Sequence, residues 1–224
     1  MQISNTPHSF GLITRVLHWL TALLVFSMIP LGIIANDAPF SNDTELARKF
    51  LLFTVHKTLG VTVLGVALIR ILWAISQPKP GPLHPTRKVE GFLAALVHWL
   101  LYASLVLLPI TGWIEHAAIP GLAPIWWPFG QSLPFVTAST WTYQTFGALH
   151  VIFGKVLMVA IFLHVAGAIK HHVIDKDATL RRMWSGRVTH ETEPQHGGIW
   201  PGVAAFGIYL IALGVGFGLG QFQP

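Results

Sequence analysis

The sequence contains no cysteine, which excludes disulfide bridges, thiolate zinc sites, iron–sulfur clusters and covalently attached c-type haem. Charge is also scarce, because only 10% of the 224 residues are charged, whereas about a quarter are charged in soluble domains. With 53% hydrophobic residues and a mean hydropathy of +0.59, such a chain cannot cover its surface in water. The composition excludes an ordinary soluble enzyme, a disordered protein and a nucleic-acid-binding module.

Long apolar stretches take the place of the missing charge. A helix of about 20 predominantly apolar residues spans a bilayer, and the sequence has five such stretches: Val16–Ala35, Leu51–Ile75, Phe92–Ile114, Phe146–Ile169 and Trp200–Leu219. The first is too long for a typical signal peptide and follows a single Arg15, which favours an uncleaved helix. The sequence therefore predicts an all-α membrane protein, with a four-helix transmembrane bundle and a fifth C-terminal transmembrane helix.

The basic residues predict the orientation. Most of them fall at helix ends and loops on one side, whereas the third loop, which we expect to run from Glu115 to Thr145, has no Lys or Arg. The positive-inside rule then puts the N-terminus in the cytoplasm and the C-terminus outside. The net charge of +5 therefore reflects topology and does not indicate a nucleic-acid partner. The third loop also carries Trp126, Trp127 and Trp141, which are typical of interfacial anchors, or else of a docking surface for an extracytoplasmic partner.

Histidine is common for so apolar a chain, with 12 residues. Five of them fall in the apolar stretches, where ionisable side chains usually mark a functional site: His18, His56, His98, His150 and His164. If neighbouring helices are antiparallel, four of these sort by depth into two pairs. His18 and His164 share the cytoplasmic side, and His56 and His150 share the outer side.

The fourth helix contributes one histidine to each pair. His150 and His164 are 14 residues apart, which puts them within about 40° of the same helix face and about 21 Å apart along the axis. We expect no Asp or Glu in the helix interiors, whereas a zinc site usually recruits cysteine or carboxylate. Paired imidazoles in a helical bundle suit a six-coordinate haem iron, and small residues (Gly60, Gly65, Gly147, Gly154 and Gly167) leave room for a flat macrocycle.

A series of motifs resembles the prokaryotic cytochrome b561 family. In chain order they are His18-Trp19 after Arg15, HKTLG at His56, RILW from Arg70, QPKPGPL, ALVHWLLY around His98, GALH at His150 and HVAGAIKHHVIDKD from His164. The resemblance covers residues 6–184. It implies a four-helix inner-membrane protein that carries two haem b groups, with His18, His56, His150 and His164 as the iron ligands.

The resemblance also implies the function. Members of the family exchange electrons between a quinone, such as ubiquinone, and another carrier, and some relatives oxidise superoxide at the outer face. The same reading divides the chain into a cytochrome b561-type domain (1–184), a linker (185–199) and an additional C-terminal helix (200–224). Glycines in this last segment permit close packing on another helix or on a second copy of the chain as a homodimer. An interfacial or re-entrant segment is the alternative.

Further polar residues are candidates for secondary roles. His98 is expected about a turn and a half into the third helix, as a contact for a haem propionate or a quinone, or as a lining residue. His171 and His172 form either an interfacial basic cluster or a quinone or proton-transfer site. Arg70 is a topology determinant first and a propionate partner second. Lys57 and Lys155 follow the outer ligands, where a cation can pair with propionates or attract an anion.

Two other functions stay open from the residues. One is a membrane-anchor subunit that links a hydrogenase or another dehydrogenase to quinone through the loops. The other is a proton or metal-ion transporter built on the histidine rows, which we disfavour because such transporters usually need acidic residues or broken helices at the midplane. Pro30 and Pro109 do interrupt two of the apolar stretches, but proline is common in membrane helices.

Overall fold

The computed structural model describes residues 2–119, 123–126, 128–186 and 198–220. These residues form six helices and no strand: α1 (Leu12–Asp37), α2 (Asp43–Ser76), α3 (Lys88–Ala117), α4 (Thr140–Val173), α5 (Thr179–Trp184) and α6 (Trp200–Gly220). All except the short α5 are long and apolar enough to cross a membrane. The predicted all-α membrane architecture with five apolar helices is therefore confirmed.

The turn between α1 and α2 is closed by side-chain caps. The backbone N–H of Glu45 donates to Oδ1 of Asn42 at 3.0 Å, and the Glu45 carboxylate in turn accepts a backbone N–H at 2.8 Å. This reciprocal pattern satisfies N–H groups that the first turn of α2 cannot satisfy itself. Lys49 donates to the carbonyls of Asn36 and Ala38 at 2.9 Å, where α1 ends with free acceptors. The two helices are thereby joined by a short, ordered connection.

The described residues pack as two compact units. The first is drawn from Met1–Leu20, Leu68–Ser104 and Lys155–Leu210. It brings together the start of α1, the end of α2, the start of α3, the end of α4, the short α5 and the start of α6. Neighbouring long helices therefore run antiparallel in this unit, as the depth argument requires. Two buried arginines hold α5 in place, since Arg15 donates to the Trp184 carbonyl and Arg182 donates to the Gly81 carbonyl, both at 3.0 Å.

The second unit is drawn from Thr21–Ala67, Leu105–Gly154 and Ile211–Pro224, within the described residues. It contains the complementary halves of the same five long helices. Its core is apolar, and the most deeply buried large side chains include Phe153 and Leu149 of α4. Each unit contains one of the two predicted histidine pairs.

The last helix packs closely on its neighbours in both units. In the first unit, the buried Tyr209 hydroxyl donates to the Leu100 carbonyl of α3 at 3.0 Å and also contacts the Ser104 hydroxyl. In the second unit, α6 meets α4 at two glycines. A Cβ at Gly216 would overlap the Leu149 side chain, and a Cβ at Gly220 would lie 2.7 Å from the Thr145 Cα. This packing favours a spanning helix over an interfacial segment.

The third connection is shorter than predicted. Helix α3 continues to Ala117 and α4 begins at Thr140, so the connection does not run from Glu115 to Thr145. Glu115 and His116 therefore belong to the last turn of α3. The cause lies in the local sequence, because after Ile114 the first strong helix-breaking signal is the Pro120-Gly121 dipeptide. Within the described helices, Asp and Glu occur only in first or last turns, so the interiors lack them as expected.

Two of the three tryptophans predicted as interfacial anchors lie in the part of the chain that the structure describes. Trp126 and Trp141 are about half exposed, as interfacial anchors are, and Trp141 also stacks on Phe217 of α6 at 6.2 Å. Trp127 lies outside the described residues. So do Arg187 and most of the predicted linker, at positions 187–197.

Candidate functional site: two pairs of facing histidines

The first pair is formed by His56 of α2 and His150 of α4 in the second unit. Their ring centroids are 6.3 Å apart and the rings are inclined at 80°. An imidazole nitrogen lies about 2.0 Å from a bound transition metal, so two rings on opposite sides of one ion have centroids about 6 Å apart. The observed spacing fits a single metal ion held between the two rings.

The orientation of the His150 ring is fixed by the backbone. Its Nδ1 lies 3.0 Å from the Leu108 carbonyl oxygen, and because a carbonyl only accepts, Nδ1 is the protonated nitrogen. This hydrogen bond leaves the lone pair on Nε2, which is the arrangement that histidine ligands of metals commonly show. His150 is thus prepared to act as a ligand through Nε2.

Two glycines let neighbouring helices approach the rings of this pair. A Cβ at Gly112 of α3 would lie 2.8 Å from His150 Nδ1, and a Cβ at Gly32 of α1 would lie 2.8 Å from His56 Cε1. Any larger residue would push a ring out of position. Sequence reasoning missed both glycines, although a signal exists, since each follows closely on a proline inside its helix, Pro30 or Pro109.

The glycines that the sequence did single out have other neighbours. A Cβ at Gly147 would lie 3.0 Å from the Glu115 carboxylate, whereas Gly60 and Gly154 have ordinary van der Waals neighbours. A Cβ at Gly65 or Gly167 would meet nothing within 4 Å. None of these five glycines packs on a ligand ring, so the close approach to the imidazoles depends on residues that composition alone does not distinguish.

The second pair is formed by His18 of α1 and His164 of α4 in the first unit. Their ring centroids are 6.1 Å apart, which again fits one metal ion between two imidazoles. A third imidazole is close, because the His98 ring lies 5.1 Å from that of His164 in an edge-on arrangement. Because α3 begins at Lys88, His98 lies ten residues into the helix, which is nearly three turns and deeper than the predicted turn and a half. Its Nδ1 donates to the Ala94 carbonyl at 2.6 Å.

The guanidinium of Arg70 contacts this second pair. Nη2 of Arg70 lies 3.0 Å from Nδ1 of His18, and because a guanidinium only donates, the His18 nitrogen accepts. The neutral His18 ring therefore carries its proton on Nε2, which is the opposite arrangement from His150. The Arg70 guanidinium also lies over the Tyr102 ring at 5.3 Å. Of the secondary residues predicted from the sequence, Arg70 and His98 are thus brought to the pair.

The predicted lysines are placed differently. Lys57 is buried and its Nζ donates to the Ala123 carbonyl at 2.9 Å, while its charge attracts that of Glu115. Lys155 is exposed on α4 and belongs to the first unit, whereas His150 belongs to the second. Glu115 and His116 were not predicted as site residues, because the helix that carries them was expected to end at Ile114.

His171 and His172, which the sequence groups together, are separated by the structure. His172 is exposed, whereas His171 contacts the carboxylates of Glu90, Asp175 and Asp177 at 2.9, 3.2 and 2.7 Å. Burial alone would raise the pKa of Asp177, but hydrogen bonds from Thr179, His171 and His84 lower this pKa to about 2. The carboxylate is therefore charged at neutral pH.

Comparison with known proteins identifies the family of the chain. A family model described as prokaryotic cytochrome b561 matches residues 9–186. The chain belongs to this family. Cytochrome b561 homolog 2 of Escherichia coli (strain K12) is 31% identical over 184 residues, covering 82% of this chain and 95% of the relative. The probable superoxide oxidase CybB of Yersinia pestis is 28% identical, covering 75% and 90%. Cytochrome b561 homolog 1 of Escherichia coli (strain K12) is also 28% identical, covering 76% and 94%.

Membership has direct consequences. As a prokaryotic cytochrome b561, the chain is a multi-pass inner-membrane protein that binds b-type haem and transfers electrons across the membrane. The family match ends at residue 186, so α6, from Trp200 onward, lies beyond it. The last helix is thus the part of this chain that the family model does not describe.

Proposed function

We propose that the chain carries electrons through two bis-histidine b haems and exchanges them between a quinone and a redox partner at the other face of the membrane. His18 and His164 would hold the haem on the cytoplasmic side, and His56 and His150 the haem on the outer side. The observation that carries the proposal is the ring spacing of 6.1 and 6.3 Å in two separate pairs that share α4. Residues 1–184 would form the di-haem domain, with 185–199 as linker and 200–224 as an accessory helix.

A haem supplies a reversible one-electron couple at its iron. The two imidazoles of each pair would hold the iron, so that small molecules would find no open site at the metal. The Leu108 carbonyl keeps the His150 lone pair on Nε2, and apolar side chains of the helices exclude water. These features favour fast electron transfer, because ligand exchange is prevented and the surroundings need little rearrangement.

Arg70 would change partner when the cytoplasmic-side pair is loaded. In the structure it donates to His18 Nδ1, which leaves the proton on Nε2. Ligation through Nε2 requires that proton to move to Nδ1, and Nδ1–H then no longer accepts from a guanidinium. Arg70 would thereby be released to pair with a carboxylate, such as a haem propionate. His98, 5.1 Å from His164, is a second candidate for a propionate or quinone contact.

The exchange partners are proposed from the family and the relatives. Ubiquinone or another quinone is the expected partner on one side. The relative from Yersinia pestis is named a probable superoxide oxidase, which makes superoxide a candidate donor on the outer side. The distribution of Lys and Arg supports a cytoplasmic N-terminus. The small residues of α6 would also permit a homodimer.

A reduced-minus-oxidised spectrum, with haem per chain quantified as the pyridine haemochrome, tests the proposal. We expect two low-spin b haems per chain in the native protein and one in each of His56→Ala and His18→Ala. His116→Ala and His98→Ala, which remove imidazoles next to each pair, should keep two. One haem in the native chain, or a loss in His116→Ala as large as in His56→Ala, would contradict the assignment. Quinone reduction by superoxide in proteoliposomes then tests the outer donor, and a partner enzyme that stays bound through purification would instead favour a membrane-anchor subunit.

A further inference from the structure

A third group of metal-ligating side chains lies outside both histidine pairs, in the first unit. His84 is in the connection between α2 and α3, His171 is in the last turn of α4, and Asp177 is in the turn before α5. One ligand atom from each lies within 4.8 Å of the other two. Oδ2 of Asp177 is 2.7 Å from Nδ1 of His171 and 3.0 Å from Nε2 of His84. Three segments that are distant in sequence thus direct a nitrogen, a nitrogen and an oxygen to one point.

The surroundings prepare these atoms for a metal. Nε2 of His171 donates to Oε1 of Glu90 at 2.9 Å and Nδ1 donates to Oδ2 of Asp177 at 2.7 Å, so a metal ion would replace the proton on Nδ1 while Glu90 keeps the proton on Nε2. The other carboxylate oxygen of Asp177 accepts the backbone N–H of Thr179 at 2.8 Å. A carboxylate behind a ligating histidine and a hydrogen bond to a ligating carboxylate are the usual outer contacts of protein metal sites.

The carboxylates around the group differ in how far neighbouring cations compensate their charges. Glu90 and Asp175 are paired with Lys170 at 2.9 and 2.8 Å and with Arg87 at 3.6 and 3.1 Å. In contrast, the carboxylate oxygen of Asp177 faces the two imidazoles, which are neutral when they act as ligands. Arg182 attracts Asp177 through space and lowers the affinity of the group for a cation without contacting the ligand atoms.

We propose that His84, His171 and Asp177 bind one divalent transition-metal ion of the zinc class, through Nε2, Nδ1 and Oδ2. Two imidazoles and one carboxylate are an established ligand set for Zn²⁺, which leaves a fourth position for water. The ion would join the α2–α3 connection to the end of α4 and to the turn before α5. This site is independent of the four haem-ligating histidines and does not rest on the number of haems.

Isothermal titration of the chelator-washed, haem-loaded full chain with Zn²⁺ tests the proposal. We expect one Zn²⁺ per chain with a Kd in the micromolar range, since Arg182 opposes the charge of the ion. His84→Ala and Asp177→Asn should each weaken binding by about 10-fold to 100-fold. His172→Ala is the matched control, because His172 is the neighbouring imidazole on the same turn of α4, is exposed and is not one of the three converging residues. Mg²⁺, which prefers oxygen ligands, should not compete.

The haem spectrum of each variant is recorded in the same samples. It should be unchanged, so that loss of zinc binding is separated from loss of the fold and from failure of the haem assignment. If Asp177→Asn does not fold, His84→Ala decides the question, because His84 lies in a connection with about a third of its side chain exposed. Absence of saturable Zn²⁺ binding, native affinity in His84→Ala, or an equal loss in His172→Ala would each overturn the proposal.

Discussion

His150 donates a hydrogen bond from Nδ1 to the carbonyl oxygen of Leu108, 3.0 Å away on α3. The bond selects one tautomer of the ring and leaves its remaining lone pair on Nε2, in a ring whose centroid lies 6.3 Å from that of His56. A backbone acceptor performs this task, so no side-chain substitution can remove it directly. What can be altered is the distance between α3 and the ring, and this distance depends on Gly112.

Gly112→Ala should lower the number of haems bound per chain by one. The new Cβ would lie 2.8 Å from His150 Nδ1, which real structures do not tolerate, so the ring must shift away from Leu108. We expect haem per chain to fall from about two toward about one in the pyridine haemochrome assay. Gly214→Ala is the control, since a Cβ at Gly214 of α6 meets nothing within 4 Å. Full occupancy in Gly112→Ala would contradict the role of this glycine.

Arg70→Gln should lower the midpoint potential of the haem that we propose to be held by His18 and His164. A cation beside a haem stabilises the reduced form, because the reduced form carries one positive charge fewer than the oxidised form. Removal of the cation therefore favours the oxidised form. The expected change is tens of millivolts, where about 59 mV corresponds to a tenfold change for one electron. Potentiometric titration measures it, with Arg181→Gln on the exposed face of α5 as the control. An unchanged potential would show that Arg70 does not leave His18 for a propionate.

Lys57→Met should lower the potential of the other haem for the same electrostatic reason. Lys57 is buried and follows the proposed ligand His56 in the chain, and in the variant its neighbour Glu115 lacks a compensating cation. The uncompensated carboxyl would add to the shift if it stayed ionised. Lys155→Met removes an equal charge from an exposed position on α4 and should leave both potentials unchanged. Equal shifts in the two variants would indicate a general charge effect only.

Tyr209→Phe should loosen α6. The hydroxyl donates to the Leu100 carbonyl and contacts Ser104, and all three residues are buried. Loss of a buried hydrogen bond with its partner left behind costs about 1–3 kcal/mol. Thermal unfolding in detergent should show a lower Tm. The double variant Ser104→Ala/Tyr209→Phe should lose less stability than the sum of the two single losses, and a strictly additive loss would mean that the two hydroxyls do not interact.

Asp177→Asn should change how stability depends on acid. The pKa of Asp177 is about 2 in the folded chain, below its usual value of 3.8, so its charged form is stabilised by folding. This contribution is fully present above about pH 4 and is lost as the pH falls toward about 2, and it is on the order of 1 kcal/mol. In this range the native protein should lose stability more steeply than Asp177→Asn in thermal unfolding. Parallel curves for the two proteins would contradict the shift.

The sequence predicts the helices well, because long apolar stretches have few alternatives in a membrane. It also identifies the four histidines of the two pairs, since their depth follows from helix order alone. The end of α3 was missed because apolarity stops at Ile114 while the backbone stays helical to Ala117. Hydropathy predicts where a helix leaves the lipid, whereas helix-breaking residues predict where the helix itself ends. In α3 these two positions differ by three residues, so Glu115 and His116 were not predicted to be helical.

Contacts between distant segments are what the sequence could not provide. Nothing in the local pattern pairs Gly112 with His150, or brings His84 to Asp177 across 93 positions. Such pairs depend on how helices rotate about their axes and on where loops fold back. His171 illustrates the limit, because it contacts three carboxylates whereas the adjacent His172, which has almost the same local sequence, is exposed.

Helix α4 contributes one histidine to each pair. The 14-residue spacing between His150 and His164 therefore sets both the distance between the two imidazoles along the helix axis and the angle between them around it. A single-residue insertion or deletion between them would turn one imidazole by about 100° relative to the other and remove it from its partner. Insertions elsewhere, in the connections between helices, carry no such penalty. The segment between these two histidines is consequently the stretch of the chain in which length, more than side-chain identity, is constrained.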